Sequence, residues 1–385
     1  MSEAIILTNA RLITPFETLF PGTVVCREGV IAEVYEGLDS RGEDLKGLLL
    51  VPGFIDLHSH GAYGYDPSRG SGESDLVSEL AGMSRALLKN GVTAFLPTLV
   101  SFRHEKLLGL LEAFGDVLPA LKDGGATPLG VWLEGPYLAP AHKGAHSKGC
   151  LRPPDQKELS LYAKLAKGTL KGLTLAPELP GALNLASLAL SLGLKVAIGH
   201  TGASFKETKM ALHRGADRAT HLFNAMPPIH HRNPGPALAL LESQNVYLEL
   251  ICDLVHVAPE ILCFVKKAAT VQRLIAVTDQ ISATGMPEGQ YSLGGLKVHT
   301  AGGVARLSDG TLAGSLLTMD TALENLVKIG FSLSEAVMML SLNPAKALGI
   351  TNRGASLPGF QADFVILSLD LRVLQVYKGG RLVSP

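Results

Sequence analysis

Eight short apolar segments, each followed by an amphipathic stretch, constrain most strongly how this chain can fold. Mostly continuous apolar runs of this kind are typical of parallel strands that are buried on both faces of a sheet. The predicted strands lie at 54–60, 92–98, 128–134, 170–178, 194–200, 217–223, 246–253 and 274–279.

The segments between these strands carry apolar residues at helical spacing. The first helix is predicted to follow Ser74 as N-cap and to stop at Asn90-Gly91. Eight strands with helical crossovers predict an α/β fold, a (β/α)8 TIM-like barrel over residues 53–353. The other helical stretches lie near 104–122, 155–168, 182–193, 204–214, 258–269 and 318–330.

The two ends of the chain have a different pattern. Residues 3–51 and 362–383 contain short strand-like pieces that glycine and proline interrupt, and neither end is long enough to form a core alone. We therefore expect one small β-sandwich domain formed by both termini, residues 1–52 together with 354–385, beside the barrel.

Composition and motifs exclude several classes of function. With 34 basic and 35 acidic residues, the chain has no overall charge that would attract nucleic acid or an anionic membrane. The uncharged stretch Leu179 to Leu194 is broken by Pro180, Gly181 and Gly193, so it falls short of a membrane span. The Gly-rich signatures of nucleotide binding and the GxSxG elbow are missing from the sequence.

Cysteine spacing and the first residues indicate a compartment. The four cysteines form no CxxC pair, and the start of the sequence has no cationic region typical of a signal peptide. We expect a reducing, cytoplasmic location.

Ionisable residues follow the ends of the predicted strands. In a (β/α)8 barrel these ends form the rim that carries the active site. Imidazole and carboxylate ligands together suit Zn²⁺ or Fe²⁺, whereas Ca²⁺ and Mg²⁺ prefer oxygen, so a divalent ion of the first kind is predicted. The residues are His58, His60, Glu134, His200, His221, His256 and Asp279.

Each of these residues also has an ordinary structural interpretation. His58 and His60 are two apart on a strand, so they point the same way and can share a metal, or they face solvent on an edge strand. Glu134 alone fits a salt bridge, and single histidines fit a packed core. Their joint occurrence favours a metal site, where Asp279 would accept the proton of a metal-activated water.

Three loops at the same rim carry further candidates. KGAHSKG at 143–149 places His146 where it can polarise a substrate, unless it is a surface histidine. FNAMPPIHHRNPG at 223–235 contains Arg232, whose fork of donors suits phosphate but also suits a solvated loop. DGTLAGS at 309–315 precedes a predicted helix, so its backbone N–H groups can line the pocket.

Several of these motifs, in this order, resemble the N-acetylglucosamine-6-phosphate deacetylase family of the amidohydrolase superfamily. The resemblance covers essentially the whole chain and implies hydrolysis of the N-acetyl group of N-acetylglucosamine 6-phosphate to glucosamine 6-phosphate and acetate, in amino-sugar catabolism. The motifs are PGFIDLHSHG, WLEGPYL, KGAHSKG, GHTGAS, THLFNAM and the run from VTDQISATG to DGTLAGSLLTMDTA.

The resemblance also implies the role of each site residue. Glu134, His200 and His221 would bind the principal metal, while His58 and His60 would bind a second one with Glu134 bridging, so the resemblance implies one or two divalent ions per subunit. Asp279 would be general base and acid, and His146 would polarise the amide carbonyl. Asn224 and Ala225 would hold the phosphate, together with Arg232 from the neighbouring subunit of a homodimer. The remaining pocket residues implied are Ala145, His256, Leu312, Ala313 and Gly314.

Two positions depart from the family pattern. Gln280-Ile281 follows Asp279 where small residues or methionine are more usual, and His230-His231 precedes Arg232. Because of the first departure, the resemblance does not determine which residues form the pocket wall beside the base. Because of the second, it does not determine the contacts to phosphate.

Two alternatives remain. Dihydroorotase-like and D-aminoacylase-like hydrolases share the fold but commonly use a carboxylated lysine as bridging ligand, and Glu134 on the third strand counts against them. A non-catalytic barrel that binds sugar or acts as a scaffold would have no need of the ligand set together with Asp279.

Overall fold

The computed structural model describes residues 4–70, 72–121 and 124–384. The strands are β1 (Ile5–Ile13), β2 (Thr18–Arg27), β3 (Val30–Glu36), β4 (Glu43–Asp44), β5 (Leu49–Pro52), β6 (Phe54–Ser59), β7 (Val92–Leu99), β8 (Thr127–Pro128), β9 (Val131–Glu134), β10 (Leu170–Leu175), β11 (Lys195–Ile198), β12 (Arg218–Ala219), β13 (Tyr247–Ile251), β14 (Leu274–Val277), β15 (Gly289–Leu293), β16 (Leu296–Ala301), β17 (Val304–Arg306), β18 (Phe364–Leu367), β19 (Val373–Lys378) and β20 (Arg381–Ser384).

The helices pack around these strands. They are α1 (Glu73–Leu87), α2 (His104–Ala120), α3 (Gln156–Leu165), α4 (Ala182–Ser191), α5 (Phe205–His213), α6 (Gly235–Glu242), α7 (Pro259–Ala268), α8 (Met319–Lys328), α9 (Leu333–Leu340) and α10 (Leu342–Ala347). None of the helices in the described ranges is long and apolar enough to cross a membrane.

Eight parallel strands form the predicted barrel in chain order, β6-β7-β9-β10-β11-β12-β13-β14. The last and first strands meet at a seam, where the Asp279 N–H donates to the His58 carbonyl at 2.9 Å and the His60 N–H donates to the Gln280 carbonyl at 2.9 Å. Ser59 and Gln280 form an isolated bridge beside them. The (β/α)8 fold class is therefore confirmed.

Three predicted strands differ in extent. The third is divided into β8 and β9 at Gly130, whose φ of 144° favours glycine. The fourth ends at Leu175, before Pro177, which cannot donate to a ladder. The sixth spans only two residues, because the chain enters the left-handed region at His221 (φ 26°).

The first helix begins earlier than predicted. Its N-cap is Gly72, so Ser74 lies inside the first turn and the assignment of Ser74 as N-cap was wrong. The predicted stop is confirmed, because Gly91 adopts φ 74° after a 3-10 turn at Leu88–Asn90.

Four features in the second half of the barrel were not predicted from the sequence. They are α6, α9, α10 and the antiparallel sheet β15-β16-β17, which lies in the connection after β14. One signal was present for α9, since Ser332 and Glu335 form a capping box at its start.

Strands from both ends of the chain join in one mixed sheet. Its order is β20-β19-β18-β5-β1-β2-β3, with β4 beside β1, so the C-terminal β18 pairs directly with the N-terminal β5. The sheet has its own small core, which includes Leu7, Leu50, Phe364 and Ile366. A terminal β domain bounded at residues 52 and 354 stays a prediction.

Candidate metal centre and catalytic cavity

Two clusters of ligand-type side chains lie at the carboxyl rim of the barrel. One consists of Glu134, His200 and His221, and the other of His58, His60 and Asp279. Every one of these side chains is almost completely buried. The structure therefore brings together six of the seven ionisable residues predicted at the strand ends, namely five predicted metal ligands and Asp279, the predicted proton acceptor.

In the first cluster, two imidazoles converge on one carboxylate oxygen. Glu134 Oε1 lies 3.0 Å from His200 Nε2 and 2.8 Å from His221 Nε2, and the two nitrogens are 3.1 Å apart. Tetrahedral zinc with bonds of about 2.0–2.1 Å would separate its ligands by roughly 3.3 Å. These spacings fit the coordination shell of a small divalent cation.

The second cluster shares Glu134 with the first. His58 Nε2 and His60 Nε2 are 3.2 Å apart, and His60 Nε2 lies 3.0 Å from Asp279 Oδ1. Glu134 Oε2 is 3.4 Å from His60 Nε2, and Glu134 Oε1 is 3.6 Å from His58 Nε2. The carboxylate of Glu134 therefore stands between both clusters, as a bridging ligand must.

The outer ring nitrogens define the tautomers. His60 Nδ1 donates to the Thr98 carbonyl at 2.9 Å, and His200 Nδ1 donates to the His142 carbonyl at 2.9 Å. Because a carbonyl only accepts, both rings carry a proton on Nδ1, so it is Nε2 that faces the site and can bind a cation once it is deprotonated. This arrangement is typical of histidines that bind a metal.

The strand ends are bent sharply where the site residues lie. His200, His221 and Asp279 have φ values of 48°, 26° and 53°, in the left-handed region that is costly for residues with a Cβ. The bends turn these side chains inward at the rim, so backbone strain accompanies the assembly of the site.

Burial and opposite charges shift the protonation of the clusters in the metal-free chain. Burial disfavours the charged form of His60, but Asp279 and Glu134 outweigh it and raise the pKa of His60 to about 9. Burial also opposes ionisation of Asp279, yet His58 and His60 outweigh it and lower its pKa to about 2. The same balance holds the pKa of Glu134 well below its usual range. Both carboxylates are thus ionised and ready to bind a cation.

His146 has the opposite tautomer. The backbone N–H of Ser101 donates to His146 Nδ1 at 3.1 Å, so Nδ1 is an acceptor and the proton lies on Nε2. Nε2 faces Glu134 Oε2 at 3.1 Å. Burial outweighs the attraction of Glu134 and lowers the pKa of His146 to about 4, so the ring is neutral. His146 is therefore a hydrogen-bond donor toward the site.

A cavity of roughly 570 Å³ opens above the clusters. Its wall contains the predicted residues His60, Glu134, Ala145, His146, His200, His221, Asn224, Ala225, His256, Asp279, Leu312 and Gly314. His58 lies beneath the cavity floor, and Ala313 is buried behind Leu312, so neither belongs to the wall.

Arg232 does not reach the cavity of its own chain. It is exposed, and its Nη1 donates to His231 Nε2 at 2.7 Å in a turn closed by a His230–Asn233 bridge. Within one chain the structure therefore does not bring Arg232 to the site.

The two departures from the family pattern have separate positions. Gln280 is buried at the seam and donates to Ser59 Oγ at 3.1 Å, while Ile281 packs behind the rim near Gly314. Neither lines the cavity, so neither forms the wall beside Asp279.

Sequence reasoning missed several residues of the site. Lys143 and Arg306 line the cavity as cations. Asp253 holds His256 through an Oδ2–Nδ1 contact of 2.6 Å, and this i, i+3 pair was visible in CDLVH. Glu249 contacts His58, and the signal for it was an acid inside the apolar run YLELI.

Comparisons with known proteins agree with this architecture. A model of the amidohydrolase family matches residues 49–383. The N-acetylgalactosamine-6-phosphate deacetylase of Escherichia coli O157:H7 is 36% identical over 383 residues, which cover 98% of this chain and 99% of the relative. The N-acetylglucosamine-6-phosphate deacetylase of Bacillus subtilis (strain 168) is 34% identical over 99% of this chain and 98% of the relative.

A solved structure is similar over its full length. The N-acetyl-D-glucosamine-6-phosphate deacetylase from Mycobacterium smegmatis, in complex with N-acetyl-D-glucosamine-6-phosphate, has a TM-score of 0.92 and 34% identity, and 100% of each chain is covered.

The raised pKa of His60 predicts how the stability of the metal-free protein depends on pH. The charged form is favoured by folding, so this contribution is complete below the ordinary pKa of 6.5 and is lost as the pH rises through about 9. The loss should be of the order of 3 kcal/mol in the free energy of unfolding, measured by urea titration after chelation. His60→Gln should flatten the decline between pH 6.5 and 9, and an equal slope in both proteins would contradict the assignment.

Proposed function

The chain belongs to the amidohydrolase family, and on this basis we propose that it hydrolyses the N-acetyl group of N-acetylglucosamine 6-phosphate to glucosamine 6-phosphate and acetate, in amino-sugar catabolism or recycling. The observation that carries the proposal is the convergence of Glu134, His200 and His221 with Asp279 and the donor His146 around one cavity. A metal ligand set, a carboxylate base and a neutral donor are what hydrolysis of an unactivated amide requires.

Members of this family depend on metal, and the residues present here fit such a group. Glu134, His200 and His221 would hold the principal ion, and His58 and His60 would hold a second one, with Zn²⁺ or Fe²⁺ proposed from the ligand types. When bound, the ion polarises the substrate and lowers the pKa of water. The outer Nδ1–H contacts of His60 and His200, which leave their Nε2 atoms facing the site, support this assignment.

Asp279 and His146 divide the proton chemistry. The ionised Asp279 carboxylate faces the cavity, where it takes the proton from the attacking water and returns it to the departing amine. His146 donates its Nε2–H to the amide oxygen as negative charge develops there. Ser101 prevents His146 from taking the other tautomer.

The outer part of the cavity would hold the sugar phosphate. Asn224, Ala225 and His256 lie on its wall, and the backbone of 312–314 would complete the sugar pocket. Because Arg232 is exposed on its own chain, we assign it to the phosphate of the neighbouring site in a homodimer, as the partner subunit's Arg232. A cytoplasmic location stays a prediction from the sequence.

The alternatives have less support. Lysine-carboxylated amidohydrolases need a lysine at the bridging position, and here Glu134 occupies it. A binding protein would have no use for a buried, ionised Asp279 beside a neutral donor.

Acetate release tests the substrate. Purified protein is assayed with N-acetylglucosamine 6-phosphate, its galacto epimer and unphosphorylated N-acetylglucosamine, before chelation, after it, and after Zn²⁺ or Fe²⁺ is restored. We expect turnover of the phosphorylated gluco substrate, loss on chelation and recovery with metal. Equal rates with and without phosphate would refute the phosphosugar assignment, and preference for the epimer would move it to the galacto series.

Replacing the base should abolish turnover with little change in structure. Asp279→Asn removes the proton acceptor, so kcat should fall by ~10²–10⁴-fold. The matched control is Asp116→Asn, which removes an exposed carboxylate on α2 and should retain wild-type kcat. Full turnover in the Asp279 variant would show that another group moves the proton.

Arg232→Ala should lower kcat/KM for the phosphorylated substrate and leave kcat/KM for the unphosphorylated sugar unchanged. Loss of a charge-assisted contact costs about 1.5–3 kcal/mol in kcat/KM. Exposed Arg214→Ala serves as control.

Coexpression of D279N with R232A chains should restore activity, because mixed dimers contain one site with both residues. No restoration would place Arg232 outside the neighbouring site.

A further inference from the structure

A buried carboxylate lies beneath the second cluster, inside the barrel. Glu249 on β13 is 2% exposed, and its Oε1 lies 3.4 Å from Nη1 of Arg218, which is itself fully buried. The guanidinium of Arg218 stacks over Trp132 at 4.7 Å and donates to the Ala347 carbonyl at 3.2 Å. The charge of Glu249 is thus compensated from one side.

The Arg218–Glu249 ion pair lacks the bidentate geometry expected of a buried pair that only stabilises the fold. Buried arginine–carboxylate pairs are favourable when they are bidentate, since desolvation of both charges is costly. Here only one oxygen faces Arg218, and Arg218 Nε has no partner within the described part of the chain. The other oxygen of Glu249 is directed elsewhere.

That second oxygen contacts the site. Glu249 Oε2 lies 3.3 Å from His58 Nδ1 and accepts the backbone N–H of His221 at 3.4 Å. His60 and His200 donate their Nδ1–H to neutral carbonyls, whereas His58 has a carboxylate in that place. A carboxylate at the outer nitrogen fixes the tautomer and makes Nε2 a stronger ligand.

We propose that Glu249, held in place by Arg218, is a positioning residue that fixes His58 as the Nδ1–H tautomer and so builds the second metal position, that of His58 and His60 with Glu134 shared. This inference rests on the proposed metal-dependent function. It makes binding at the second position depend on a side chain that no metal touches, while the first position has two ligands of its own, His200 and His221.

Metal counting tests the proposal. Glu249→Gln keeps the shape but removes the charge, and metal-free protein is titrated with Zn²⁺ or Co²⁺ and measured by calorimetry and by mass spectrometry of bound metal. We expect two ions in the wild type, and in E249Q one unaltered ion and a second bound ~10–100-fold more weakly. Ser84→Ala is the control, because it removes a buried hydrogen bond to the Ala126 carbonyl that involves none of Trp132, Arg218 and Glu249.

Wild-type affinity for both ions in E249Q would overturn the proposal, and so would equal losses in E249Q and S84A. If E249Q fails to fold, the neutral ring of His58 in the metal-free wild type decides. Burial is outweighed by Glu134 and Asp279, which raise the pKa of His58, so its tautomer is read by ¹⁵N–¹H correlation at a pH where the ring has lost one proton, with a His58→Gln variant for assignment. An Nδ1-bound proton supports the proposal, and an Nε2-bound proton overturns it. Neither measurement uses substrate, so a protein that binds two ions but releases no acetate would refute the proposed function alone.

Discussion

The structure depends on one buried carboxylate. Glu134 ends β9 inside a rim of imidazoles, and its two oxygens contact His200 and His221 on one side and His60 and His146 on the other. An ionised group without water is stable only where cations or donors surround it. The register of the eight strands places these partners around Glu134. The geometry of the barrel and the chemistry of the site therefore depend on each other.

The imidazoles around Glu134 are separated into two kinds by their outer contacts. Backbone carbonyls accept from Nδ1 of His60 and His200, which leaves their Nε2 atoms to bind a cation, while the Ser101 N–H reverses this in His146 and leaves a proton facing the cavity. Residue type alone would make all of them equivalent ligands. The neighbouring main chain therefore decides which ring can bind a cation and which can donate to a carbonyl.

Much of this could be predicted, since a chain-order barrel places strand ends at one rim and the ends could be read from apolar runs. The prediction failed where local backbone overrode the pattern: the sixth strand stops before His221, and Gly72 replaces Ser74 as a cap. Glu249 was not predicted, because a single acid within an apolar strand carries no signal for a site. Its partner, His58, lies on a strand that is far away in sequence. Arg232 cannot be placed from one chain at all, because its proposed contact belongs to another subunit.

The terminal sheet has a consequence for how the protein is made. β5 pairs with β1 on one side and with β18 on the other, so one edge of the N-terminal strands has no partner until residues 364–367 have left the ribosome. During synthesis of the whole barrel, this edge is open to pairing with other nascent chains. Pairing of the final strands with β5 therefore completes the sheet late in biosynthesis. A product truncated before these strands would contain every predicted metal ligand but would have an unpaired β edge.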